Sequence, residues 1–262
     1  MIGVAGCGRM GAPMLDALRD GTSHAMGFDV VGKGPGHITT DLDAFAPQLE
    51  TLFSVVRDAG ETDALLFDTQ NLIAVAPNLH RIFICSTLSP RYVHTLRARV
   101  PDHITLIDAP MSGAQAGAQD RSLSFMLGGA QDDIDDAIPL LSLMGRHFHH
   151  MGPYGSGMQA KVLNNLLAAS HTAMTRLVLD WADAAGLDTD KLLALIETSS
   201  GQNWLASGFD TIEFAKEGHA ADNSIGILVK DVAAALDAAP DGADTALPQL
   251  VQATVRALTP RR

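Results

Sequence analysis

The first dozen residues constrain this chain most. Ile2-Gly3-Val4-Ala5 is a short apolar run, Gly6-Cys7-Gly8-Arg9-Met10-Gly11 follows at once, and Met14, Leu15 and Leu18 then keep helical spacing. A strand, a G-x-G-x-x-G turn and a helix, in that order, form the dinucleotide-binding fingerprint and predict the opening of an α/β sheet. Gly6 permits the tight turn, Gly8 lets the backbone approach a pyrophosphate, and Gly11 lets helix and strand pack closely. Arg9 and Met10 complete the turn, and the helix amino terminus faces the phosphates. The alternative is a glycine-rich turn in some other α/β fold.

Ala25 to Asp29 reads as the second strand, with Asp29 placed 18 residues after Gly11. An acid there accepts hydrogen bonds from the adenosine ribose hydroxyls and repels a 2′-phosphate, so NAD is the expected cofactor. Lys33 keeps NADP open, because it could pair with a 2′-phosphate or simply be a solvated loop lysine. The turn residues between Val31 and His37 leave little room for a helix before an apparent strand from His37 to Thr40. Thr51–Val56 is a further strand, with Arg57-Asp58 at its carboxyl end, and Leu65–Val75 is compatible with a helix. Arg81–Cys85 is the next strand, ending in Ser86-Thr87-Leu88-Ser89-Pro90, whose hydroxyls either face a nicotinamide ribose or cap the helix through Val93 and Leu96. Ile104–Ile107 runs into the small-residue loop Asp108 to Ala118. There Ser112 and the amides near Gly113 either hold a carboxylate or form a plain surface turn. A strand at Leu123–Leu127 and a helix at Ile134–Met144 complete an alternation that predicts a doubly wound α/β domain over residues 1–152.

The second half has no second glycine fingerprint and no strand alternation. It opens with Gly155-Ser156-Gly157-Met158-Gln159-Ala160-Lys161-Val162-Leu163-Asn164-Asn165, followed by apolar residues at Leu167, Met174, Leu177, Val178 and Trp181 in helical steps. A helix from Gly157 to Ala185 would run about 43 Å at ~1.5 Å per residue, enough to span a domain. Lys161 and Asn165 lie one turn apart on one face, and an ammonium and an amide are costly to bury without a use. Alone, the pair reads as a solvated stripe on a surface helix, which is what most lysines mean. Residues 153–262 are therefore expected to form a helical domain that opens with this long interdomain helix. Trp204 either walls a pocket or packs half-buried, and Lys230-Asp231 alone reads as a solvated pair.

Charge narrows the partners. With 18 Lys and Arg against 30 Asp and Glu, the net charge of −12 would repel a phosphate backbone, so no nucleic acid is expected. The amino-terminal residues lack the pattern of a signal peptide, no apolar run approaches 18 residues, and no membrane association is expected. Cys7 and Cys85 suggest no disulfide framework, which fits a reducing cytoplasm. His147-Phe148-His149-His150 lacks a second ligand group at metal-site spacing, so no metal is expected.

Three motifs then agree in order and spacing. The turn continuing through Arg9-Met10-Gly11-Ala12-Pro13-Met14, the loop Asp108-Ala109-Pro110-Met111-Ser112-Gly113 and the helix start Gly155-x-Gly157-x-x-x-Lys161-x-x-Asn164-Asn165 together resemble the β-hydroxyacid dehydrogenase family. Ser86-Thr87-x-Ser89-Pro90 and Lys230-Asp231 are similar to further family features. The resemblance implies an amino-terminal Rossmann-type sheet followed by an all-helical domain, assembled as a homo-oligomer. It implies hydride transfer between NAD and a small 3-hydroxy acid such as 3-hydroxyisobutyrate. By it Lys161 is the catalytic acid/base, Asn165 orients the substrate, and Ser112 with Gly113 binds its carboxylate. Gly6, Gly8, Arg9, Met10 and Gly11 hold the pyrophosphate, Asp29 the adenosine ribose, and Thr87 and Lys230 the nicotinamide end. A lysine of ordinary pKa ~10.4 must be lowered towards ~7–8 to serve as base, which an apolar closed cleft achieves. The alternatives are an NADPH-dependent reductase of small aldehyde acids such as glyoxylate or succinic semialdehyde, and a noncatalytic nucleotide-binding protein. The chain departs from the family at Ala114 and Arg121, where glycine is usual. A side chain there is costly if the turn needs positive φ.

Overall fold

The computed structural model describes residues 1–22, 24–32, 35–212 and 214–261. Lys33 lies outside them. The chain divides into two compact units, Met1–Lys161 and Val162–Arg262.

The first unit alternates strand and helix: β1 (Ile2–Ala5), α1 (Gly11–Gly21), β2 (Ala25–Phe28), β3 (Ile38–Thr39), α2 (Leu42–Phe45), β4 (Thr51–Ser54), α3 (Ala59–Leu66), α4 (Leu72–Val75), β5 (Arg81–Ile84) and α5 (Pro90–Arg99). It continues through β6 (Thr105–Asp108), β7 (Met111–Ser112), α6 (Ala114–Gln119), β8 (Leu123–Gly128), α7 (Gln131–Leu141) and β9 (Gly145–Gly152). The described residues form a nine-stranded sheet in the order β3-β2-β1-β4-β5-β6-β8-β7, with β9 pairing β8. Its pairs are parallel except where β6 and β7 meet β8.

Alternate residues along each strand feed two separate cores, which is what a sheet covered on both faces requires. Val4, Phe53, Phe83 and Ile107 pack with Met14, Leu18, Ile134 and Leu141 of α1 and α7. Ala5, Leu52, Ile82, Ile84 and Leu106 pack with Leu65, Leu72, Val93 and Leu96 of α3, α4 and α5. The doubly wound reading of the sequence holds. The segment Leu65–Val75, compatible with one helix, instead holds the end of α3 at Leu66 and the whole of α4, separated by Asn71, which takes a left-handed backbone before α4.

A helix α8 (Ser156–Ala184) starts in the first unit and continues into the second. The second unit adds α9 (Thr189–Glu197), α10 (Trp204–Ser207), α11 (Ser224–Asp237) and α12 (Ala246–Arg256). Its main core joins Ala169 and Ala173 of α8 to Ile225, Val229 and Val232 of α11 and Val251 and Val255 of α12. The buried Arg176 guanidinium donates to the carbonyls of Ala215, Glu217 and Thr259, tying three segments to α8 without a carboxylate partner in those bonds. No described helix is long and apolar enough to cross a membrane.

Candidate active site

The parallel strands β1, β4, β5 and β6 end side by side, with Ala5, Ser54, Ile84 and Asp108 in register. From β1 the chain runs outward through β2 to β3 and then crosses back to β4 on the other side of β1, so the crevice outside the carboxyl end of β1 is the switch point where such sheets take ligands. The glycine turn lies there. Gly6 has φ +89°, and a Cβ on it would sit 2.7 Å from the Val55 carbonyl oxygen. A Cβ on Gly11 would sit 2.0 Å from the Gly6 carbonyl oxygen, whereas one on Gly8 would meet nothing within 4 Å. The turn is thus closed on the protein side and open on the other. The first turn of α1 has no acidic residue, and Met10 at its N-cap offers no side-chain bond to the first amides. This is a cradle that fits a pyrophosphate.

Asp29 follows β2 and is half-buried. Its Oδ2 accepts from the Cys7 amide at 2.8 Å and its Oδ1 from the Val31 amide at 2.9 Å, which aims the carboxylate beside the turn. Each oxygen keeps a lone pair for a ribose hydroxyl. Burial, with Asp29 beside it, pushes the Cys7 thiol up to about 12, so it remains a packed, neutral side chain.

After β5, the Ser86 hydroxyl donates to the Val56 carbonyl at 2.6 Å. Ser89 occupies the N-cap of α5 without a side-chain capping bond. Neither half of the cap-or-ribose alternative describes Ser86, and Thr87 beside it is half-buried.

Lys161 of α8 is only 7% exposed, and its Nζ donates to Ser112 Oγ at 3.1 Å. Residues 49 apart in sequence therefore meet, one from the helix and one from the short strand β7. Ser112 is half-buried and Gly113 exposed, so the hydroxyl and the adjacent amides border open space. Ammonium, hydroxyl and backbone amides form a group suited to receiving a hydroxy acid.

In the second unit, Asn165 is buried and its Nδ2 donates to Asp231 Oδ2 at 2.7 Å. Asp231, on α11, is 3% exposed. Lys230 is more exposed and lies 3.8 Å from Asp231 Oδ1. The solvated-pair reading of Lys230-Asp231 is therefore corrected for the acid: it is buried and fixes which way the Asn165 amide faces. Sequence reasoning noted Asp231 but missed this use, since only its place three residues after Leu228 and four before Ala235 on an apolar helix hinted at burial.

Of the histidines of β9, His150 is bonded locally. The two ring nitrogens of His150 lie 2.8 Å from Gln131 Oε1 and 2.9 and 3.0 Å from the carbonyls of Gly129 and Gly152. Among the described residues no group of three His, Cys, Asp or Glu gathers as metal ligands would.

Residues 1–152 match the family described as the NAD binding domain of 6-phosphogluconate dehydrogenase. Residues 155–261 match the family described as NAD-binding of NADP-dependent 3-hydroxyisobutyrate dehydrogenase. An NAD-dependent L-serine dehydrogenase of Pseudomonas aeruginosa is 32% identical over 213 residues, covering 78% of this chain and 71% of that protein. A 3-hydroxyisobutyrate dehydrogenase of the same organism is 29% identical over 249 residues, covering 90% and 84%. The fold is shared with a Mycobacterium tuberculosis 3-hydroxyisobutyrate dehydrogenase solved with L-serine, at TM-score 0.79 and 23% identity, over 98% of this chain and 95% of that one.

Proposed function

The chain belongs to the β-hydroxyacid dehydrogenase family of NAD(P)-dependent 3-hydroxyacid dehydrogenases, and from that membership we propose that it oxidises a small 3-hydroxy acid with NAD, using Lys161 as acid/base. The observation that carries this reading is the contact of buried Lys161 with Ser112. Serine and 3-hydroxyisobutyrate, named for the two relatives, are the first substrates to test.

The Ser112 hydroxyl and the Gly113 amide receive the substrate carboxylate, which places the hydroxyl against Lys161. Neutral Lys161 takes the hydroxyl proton during oxidation, and its ammonium returns one during reduction. Asn165, oriented by Asp231, holds the substrate in register. The bound nicotinamide supplies the hydride acceptor. Gly6, Gly8, Arg9, Met10 and Gly11 hold the pyrophosphate, and Thr87 and Lys230 flank the nicotinamide end. Asp29 favours NAD, because its carboxylate would face a 2′-phosphate with like charge. Residues 1–152 act as the dinucleotide-binding domain and 153–262 as the helical substrate and oligomerisation domain.

The test is a panel of serine, 3-hydroxyisobutyrate, glycerate and 2-(hydroxymethyl)glutarate with NAD and with NADP, read as reduced nicotinamide. The reading expects turnover of at least one acid, with kcat/KM higher for NAD. Preference for NADP would remove the role given to Asp29, and reduction of aldehyde acids with no oxidation of any hydroxy acid would favour the reductase alternative.

A further inference from the structure

Asp108 ends β6 and is fully buried. Its Oδ1 accepts the Gly155 amide hydrogen at 2.6 Å and its Oδ2 that of Met158 at 2.5 Å. These donors belong to the start of α8, whose first amides have no partner within the helix, and the helix dipole favours an anion there. Burial pushes the Asp108 carboxyl up from its ordinary range, while the two amide bonds oppose that shift.

Three glycines make the approach possible. Asp108 stands opposite Gly128 in the sheet, and a Cβ on Gly128 would lie 2.1 Å from Asp108 Oδ1. A Cβ on Gly157 would lie 2.4 Å from the Met126 carbonyl oxygen, so the helix end lies directly on β8. Gly155 has φ +96°, and its Cβ would lie 2.3 Å from the His94 ring. The Gly155-x-Gly157 pattern therefore does more than start a helix. It lets the helix end come within reach of one carboxylate.

The consequence lies at the other ends of the same two segments. From Asp108 the backbone reaches Ser112 in four residues, and from Met158 the helix reaches Lys161 in three. Ser112 Oγ and Lys161 Nζ close the circuit at 3.1 Å. We infer that Asp108 is a positioning residue: by pinning the start of α8 to the end of β6 it sets the spacing between Lys161 and Ser112 in which the substrate is held. This rests on the proposed roles of Lys161 and Ser112.

Asp108→Asn keeps the shape of the side chain but replaces one accepting oxygen with a donor that faces a helix amide. A misplacement of this kind lowers kcat roughly tenfold to hundredfold. The affinity for NAD stays within about twofold, because the glycine turn is untouched, and thermal melting shows a folded protein. A purely structural role would lower the melting temperature and spare the kcat of the folded enzyme. Coupling gives a second reading: if Asp108 acts through the Lys161–Ser112 spacing, adding Ser112→Ala to Asp108→Asn costs little beyond the worse single variant, whereas independent effects multiply. Should Asp108→Asn fail to fold, Gly157→Ala displaces the helix end while keeping the carboxylate, and the same kcat loss is expected. A folded Asp108→Asn or Gly157→Ala enzyme with wild-type kcat, or multiplicative losses in the double variant, overturns the inference. Lys161→Ala measured alongside separates the two levels, since a near wild-type rate there overturns the Lys161 reading itself.

Discussion

Ala114 and Arg121 hold φ angles of +52° and +53°, in the left-handed region where the family usually places glycine. An L side chain there costs about 1–2 kcal/mol, partly offset by the entropy glycine would lose on folding. Ala114→Gly is therefore expected to stabilise by up to about 1 kcal/mol, a rise of roughly 2–4 °C in melting temperature. Arg121→Gly gains less, because it also removes an exposed ion pair with Asp20, worth little in water. A drop in melting temperature for Ala114→Gly would mean that the strain is offset elsewhere in the loop. At this scale the motif positions of Lys161, Ser112 and the glycines were legible, since each sits at a fixed offset in a local pattern. The role of Asp108 was not, because its partners are backbone amides 47 and 50 residues away that no side-chain pattern displays. The burial of Asp231 was hidden for a related reason: its partner Asn165 is 66 residues off.

Among the elements, α8 shows what periodicity does and does not carry. The helix expected at Gly157–Ala185 is observed at Ser156–Ala184, with the same length of 29 residues. Its apolar stripe, however, is not its buried face. Leu163, Leu167, Met174, Leu177 and Trp181 are exposed, Trp181 by 68%, while Met158, Val162, Ala169, Ala173, Leu179 and Ala182 are buried. Period identifies a face but not what covers it, and small alanines on the other face allow close packing against α11 and α12. Large apolar side chains aligned along an exposed helix fit the homo-oligomer implied by the family resemblance. Leu167→Glu with Trp181→Glu should lower the mass measured by light scattering while leaving the helical circular dichroism intact. An unchanged mass, in a wild-type protein larger than its 27.6 kDa chain, would place the interface elsewhere. Loop boundaries were less legible. The left-handed Asn71 divides a segment whose composition alone reads as one helix.

For the molecule as a whole, strand and helix alternation was enough to foresee the doubly wound sheet, because each strand carries apolar residues for two faces. The helical second unit was foreseen by the end of that alternation, whereas its internal ties, such as Arg176 on three carbonyls, depend on segments up to 83 residues apart. Lys161 as the acid/base of a 3-hydroxyacid dehydrogenase is the proposal on which the other roles depend. The most direct measurement compares wild type with Lys161→Ala for the rate of NAD reduction by the best acid of the panel, with NAD binding followed by fluorescence. Loss of a positioned acid/base should lower kcat by about 10²–10⁴-fold. NAD affinity should stay near wild type, since the glycine turn and Asp29 are untouched. A Lys161→Ala enzyme that turns over within a few-fold of wild type would mean that Lys161 is not the acid/base.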